Sequence, residues 1–213
     1  MKKKIIISLL VILLIGGQGA FGETGKDIIV LFDVSESVLP IFNDLQSYLI
    51  DTVLRGHVRF GDTIHLISFA SQPDMEISRT IMSEDDIEPV IARILLIQPL
   101  GRYTDLISAF NYLYQYVFDL PANSEKMVII LSDGIHDPPP TSPFYGVADP
   151  DSQIKAIARS IHDQGWGVFL IGLPSDNGTI ASGSAAGTGV TSGGTEGTEG
   201  TDSTLLNGIS EAL

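Results

Sequence analysis

The sequence predicts an α/β domain on a doubly wound, mostly parallel central sheet with helices on both faces. Two observations carry that prediction. Short, almost wholly aliphatic runs at residues 27–32 and 127–131 read as strands buried on both faces of a parallel sheet. Segments with apolar residues at helical spacing lie between such runs, and strands alternating with helices lead to parallel sheets. Composition agrees: 44% of the 213 residues are hydrophobic and 18% charged, enough apolar material for one domain with a sizeable core plus attachments.

The elements follow in order. After the first strand, Val38, Ile41, Phe42, Leu45, Leu49 and Val53 recur at helical spacing, with Pro40 in the first turn, where it is tolerated. Residues 62–70 read as a second strand and 75–80 as a shorter third. A helix over 88–96 places Pro89 at its first position and Val90, Ile91, Ile94 and Leu95 on its buried face. A loop at 98–103 leads into a helix over 104–118 with Leu106, Phe110, Leu113 and Val117 as its core stripe. The strand at 127–131 comes next. Residues 136–143, with four prolines among them, read as a stiff extended rim, partly polyproline II. Ile154, Ile157, Ala158 and Ile161 mark another helix, and 167–173 a last strand.

Both ends lie outside this pattern. Lys2, Lys3 and Lys4 precede an apolar run from 5 to 15, then small residues including Ala20 and Gly22. Residues 1–22 therefore read as a signal peptide cleaved before Glu23, or as an uncleaved anchor, and in both cases the domain at 23–174 lies outside the cytoplasm. Residues 175–204 hold eight glycines and twelve serines or threonines and read as a flexible solvated loop. Residues 205–213 read as the start of a final helix. The formal charge of −14 argues against nucleic acid and anionic lipid as partners, so membrane contact falls to an uncleaved N-terminal segment alone. The chain has no cysteine, which excludes disulfides, thiol nucleophiles and zinc ribbons, and fits a bacterial envelope better than a small secreted animal module.

The candidate chemistry sits where the strands end. The first strand runs into Asp33-Val34-Ser35-Glu36-Ser37, a carboxylate and two hydroxyls at alternate positions where open α/β sheets keep their ligand crevice. Hard oxygen ligands of this kind suit Mg²⁺ or Mn²⁺. Gly101-Arg102-Tyr103-Thr104-Asp105 leads into the helix over 104–118, and Leu131-Ser132-Asp133-Gly134 leaves the strand at 127–131. Each has a local alternative. Asp33 and Ser35 are good helix caps, Ser-Asp-Gly is a common turn, and Thr104 or Asp105 caps the following helix.

Taken together, the three segments resemble the metal-ion-dependent adhesion site of von Willebrand factor type A domains, over about residues 27–173. The resemblance implies that the third strand is a short antiparallel edge. It implies that Ser35, Ser37 and Thr104 ligate Mg²⁺ or Mn²⁺ directly, with Asp33 and Asp133 acting mainly through water or from behind the ligands. Neutral direct ligands leave the cation electrophilic, able to capture an Asp or Glu side chain of a partner protein, while the carboxylates compensate its charge and orient its ligands. Tyr103, Asp105 and His136 are candidates for a partner-binding rim. An alternative is a metal-free assembly subunit of an envelope complex. An aspartyl-phosphate phosphatase would need a second aspartate where Ser35 stands. The chain also lacks the nucleophile-elbow, phosphate-loop and zinc-helix motifs. We therefore expect a binding module and not an enzyme.

Overall fold

A computed structural model describes residues 25–171. The expected signal segment at 1–22, the glycine-rich stretch at 175–204 and the final helix at 205–213 lie outside the described residues. Five strands form one sheet among them: β1 (Asp27–Asp33), β2 (Thr63–Phe69), β3 (Pro73–Thr80), β4 (Lys126–Leu131) and β5 (Gly167–Ile171), in the order β3-β2-β1-β4-β5. All neighbours are parallel except β2 and β3. The doubly wound sheet with one antiparallel edge is thus as expected. The edge strand is not short, however. It begins at Pro73, a residue tolerated at the first position of an edge strand because its missing N–H opens no gap in the ladder.

Alternation along β1 divides the core. Ile28, Val30 and Phe32 face one layer, and Ile29 and Leu31 the other, because successive side chains point to opposite faces. Helices on both sides explain why every β1 residue is buried. One layer holds α1 (Phe42–Tyr48) and α2 (Ile87–Leu96). The other holds α3 (Leu106–Asp119) and α4 (Pro150–Asp163). The expected stripes hold on α3, with Leu106, Phe110, Leu113 and Val117 buried, and on α4.

Three details differ from expectation. The helical stretch after β1 is composite: a 3₁₀ turn at Glu36–Ile41 carries Pro40, a π turn at Leu49–Leu54 follows α1, and Arg55–His57 closes it. In α2, a 3₁₀ turn at Glu84–Asp86 with a Ser83–Asp86 capping box starts the helix early. Pro89 is then third in the helix, and Leu95 lies off the Val90–Ile94 stripe, 54% exposed. The proline-rich segment is extended only at its start. From Pro139 it folds into turns, with Ser142 N–H donating to Pro139 O and Tyr145 N–H to Ser142 O. None of the helices in the described residues is long and apolar enough to cross a membrane.

Candidate metal centre

From the central pair the chain leaves in opposite directions, β1 toward β2 and β4 toward β5. Such a reversal opens a crevice beyond the C-terminal strand ends. Asp33 ends β1 there, fully buried. Its Oδ1 accepts from the Ser35 N–H at 3.0 Å and the Ser35 hydroxyl at 2.6 Å, and its Oδ2 accepts from the Ser132 hydroxyl at 2.7 Å. Ser35 Oγ lies 2.9 Å from Ser37 Oγ, so carboxylate and hydroxyls form one chain from the buried Asp33 to the exposed Ser37. Ser35 stands at the cap position of the 3₁₀ turn without a side-chain capping bond. Its hydroxyl is committed to the crevice instead.

The second loop is sewn to the first through Gly101, whose N–H donates to Val34 O at 3.0 Å and whose carbonyl accepts from Glu36 N–H at 2.7 Å. A side chain there has no room: a Cβ would lie 2.2 Å from the Ala70 Cβ and 3.2 Å from Val34 O. Three residues on, Thr104 is buried and pairs its backbone both ways with Asp137, at 2.8 and 2.9 Å. That bridge ties the second loop to the third. There Ser132 Oγ accepts from Gly134 N–H, and Asp133 Oδ1 accepts from Ile135 N–H, both at 3.0 Å. Gly134 takes φ 79°, a left-handed conformation that glycine adopts without strain. The Ser-Asp-Gly turn is real, and it leaves the Asp133 charge near enough to act on Asp33.

Charge is the notable property of this arrangement. Burial pushes the Asp33 carboxyl up to about 6, against the pull of its hydrogen bonds from Ser35 and Ser132, and the Asp133 charge adds to the rise. Asp133 Oδ2 is itself buried with no hydrogen-bond partner among the described residues. Buried polar atoms are nearly always satisfied, and an exception calls for an absent ligand or a function. Two carboxylates and a set of hydroxyls facing one crevice fit a hard divalent cation. Among the described residues, no three His, Cys, Asp or Glu side chains converge on one point.

The expected rim residues fare differently. Asp105 is buried and caps α3, accepting from Ser108 N–H at 3.0 Å and from the Ser108 and Ser142 hydroxyls. It is a structural cap and offers no surface to a partner. His136 is half-buried and accepts from the Leu106 N–H through Nδ1 at 3.2 Å, so that nitrogen also serves the start of α3. Tyr103 is half-buried, with the Arg102 guanidinium 5.3 Å from its ring centre. Sequence reasoning assigned no role to Ser132, which completes the Asp33 carboxylate. Its only signal was its place between the end of a buried strand and Asp133.

Fold and crevice together define a doubly wound α/β domain with an oxygen-lined site at its switch point. The von Willebrand factor type A domain signature matches residues 27–187, and the chain belongs to that family of protein-binding domains. An uncharacterized protein of Treponema pallidum (strain Nichols) is 29% identical over 144 residues, a match covering 66% of this chain and 65% of that relative, a little under two thirds of its length. An aerotolerance-related membrane protein from Bacteroides fragilis NCTC 9343 shares the fold at a TM-score of 0.54 and 18% identity, over 88% of both chains. Manganese-loaded TRAP protein of Plasmodium vivax does so at 0.52 and 16%, over 71% of this chain and 58% of that one.

Proposed function

We propose that the crevice holds Mg²⁺ or Mn²⁺ on Asp33, Ser35, Ser37, Thr104 and Asp133, and that the chain is a divalent-metal-dependent adhesion or assembly module. The observation that carries this reading is the unpartnered, buried Asp133 Oδ2 beside a buried Asp33 whose carboxyl is already pushed up to about 6. Two such groups are costly to keep together, and a divalent cation offsets both costs at once. The manganese carried by the TRAP protein supports the reading at the level of the fold. The bound ion would supply an electrophilic coordination position for a partner's Asp or Glu. This chain's own residues do the rest. Ser35, Ser37 and Thr104 present neutral oxygens, while Asp33, fixed by Ser35 and Ser132, holds the charge that retains the ion. With Ser35 in the position where hydrolases on such folds need an acid, the reading is of binding and not catalysis. The basic start and apolar run at residues 2–15 support export, to the periplasm or cell surface.

The test is Mn²⁺ binding to the full-length chain followed by electron paramagnetic resonance, with Mg²⁺ as competitor. Expected is saturable Mn²⁺ binding that Mg²⁺ displaces and Asp33→Ala abolishes. Equal binding by wild type and Asp33→Ala would remove the site.

A further inference from the structure

Around the crevice the chain exposes what a soluble surface usually hides. Leu39 is 60% exposed, Leu100 75% and Tyr145 59%. The two leucines stand on the two loops that the Gly101 backbone bonds join. Leu100 precedes Gly101, whose carbonyl accepts from Glu36 N–H at 2.7 Å. Glu36 opens the 3₁₀ turn that carries Leu39. Tyr145 lies in the turns that follow the Thr104–Asp137 bridge, on the third loop. Exposed apolar side chains gathered at one site mark an interaction surface.

Charge on the same rim is uneven. Glu36 and Asp137 are exposed there and repel an approaching carboxylate. Across 34–37, 98–105 and 132–149, the loops that build the crevice, Arg102 is the only lysine or arginine. Three arginines elsewhere are held in ion pairs: Arg79 with Asp86, Arg93 with Glu76, Arg55 with Asp51. Arg102 is exposed, makes no ion pair among the described residues, and is steadied over the Tyr103 ring. A guanidinium held in place this way loses less freedom when it binds a carboxylate.

Resting on the metal reading above, we infer that the partner presents an acidic and aliphatic peptide segment that meets three points. One carboxylate enters the crevice, a second acidic side chain pairs with Arg102, and an aliphatic side chain packs against Leu39 and Leu100. The acidic rim sets the selectivity, since it admits negative charge only at the crevice and at Arg102 and rejects a uniformly acidic stretch.

The experiment measures binding of synthetic peptides to the full-length chain in Mg²⁺ by fluorescence anisotropy. Each peptide carries a fixed glutamate, a second position as Glu, Gln or Lys, and a third as Leu or Ser. Glu at the second position should bind about tenfold tighter than Gln. Arg102→Glu should reverse that order and favour Lys, and the paired Leu39→Ser, Leu100→Ser change should erase the preference for leucine. All three residues are exposed, so the variants should fold. Mg²⁺-dependent binding that ignores the second position, or an Arg102→Glu variant with the wild-type order, overturns this inference and leaves the metal site standing. Binding indifferent to chelator and to Asp33→Ala overturns the metal reading, and this inference with it.

Discussion

The Ser132 hydroxyl donates to Asp33 Oδ2 at 2.7 Å, joining the ends of the two central strands across 99 positions of chain. Both side chains are buried, so the bond is the only protein donor on that carboxylate oxygen among the described residues. Ser132→Ala should cost about 1–3 kcal/mol, the usual penalty for leaving a buried acceptor unsatisfied. Urea unfolding in chelator measures it. A variant as stable as wild type would mean that Asp33 is held by Ser35 alone.

The proposed cation predicts a linked gain in stability. At about a hundred times its dissociation constant a ligand stabilises the native state by about 2.7 kcal/mol, which for a domain of this size is roughly 5 to 10 °C in midpoint. Thermal unfolding with Mg²⁺ or Mn²⁺ should show that rise, and Asp33→Ala should lose it. A rise that persists in Asp33→Ala would place the ion elsewhere.

Gly101 offers a test that touches no ligand. Its missing Cβ would lie 2.2 Å from the Ala70 Cβ, a separation that neither loop can accommodate without moving. Gly101→Ala should therefore push the second loop, with Thr104, away from Ser35 and weaken the metal-induced rise in midpoint. The variant should stay folded, since the shift is confined to the loop. An unchanged metal response would show that Thr104 is not needed.

How much of this was legible follows from which forces are local. The strand at 27–33 and the α3 stripe are patterns of neighbouring residues, and periodicity exposes them. The composite helix after β1 and the long β3 depend on how Pro40 and Pro73 sit against the rest of the fold, and propensity alone did not locate them. At the site, residue types and their spacing in each loop were readable. The partners were not: Ser132 on Asp33, Asp137 on Thr104 and Val34 on Gly101 are pairings between distant parts of the chain. Asp105 shows the same limit in reverse. The sequence left a helix cap and a place at the site both open, and the bonds to Ser108 and Ser142 decide for the cap.

That cap is itself testable. Asp105→Ala should lower stability by about 0.5–2 kcal/mol, the cost of losing a helix N-cap, as read from the denaturation midpoint in chelator. The metal-induced rise should survive, because Asp105 is committed to α3. Loss of the metal response at full stability would reverse the assignment.

The opposite end of the sheet carries a pH dependence independent of the crevice. His65 is buried there, with Nε2 3.2 Å from Asp27 Oδ1, and Nδ1 2.7 Å from the Tyr116 hydroxyl and 3.0 Å from the Ser78 hydroxyl. Lys126 lies 3.8 Å from Asp27 and opposes protonation, and Asp27 favours it. Burial outweighs the attraction and lowers the His65 pKa below its usual 6.5. The unfolded chain therefore takes up the proton first as the solution is acidified. The stability contributed by neutral His65 is complete above pH 6.5 and is lost progressively below it. Asp33 slopes the other way between about 6 and its usual 3.8, so the informative quantity is the difference between two proteins. Urea unfolding of wild type and His65→Gln across that range should show the wild type losing more stability on acidification. Parallel curves would mean that His65 is protonated as readily in the folded chain as in the unfolded one.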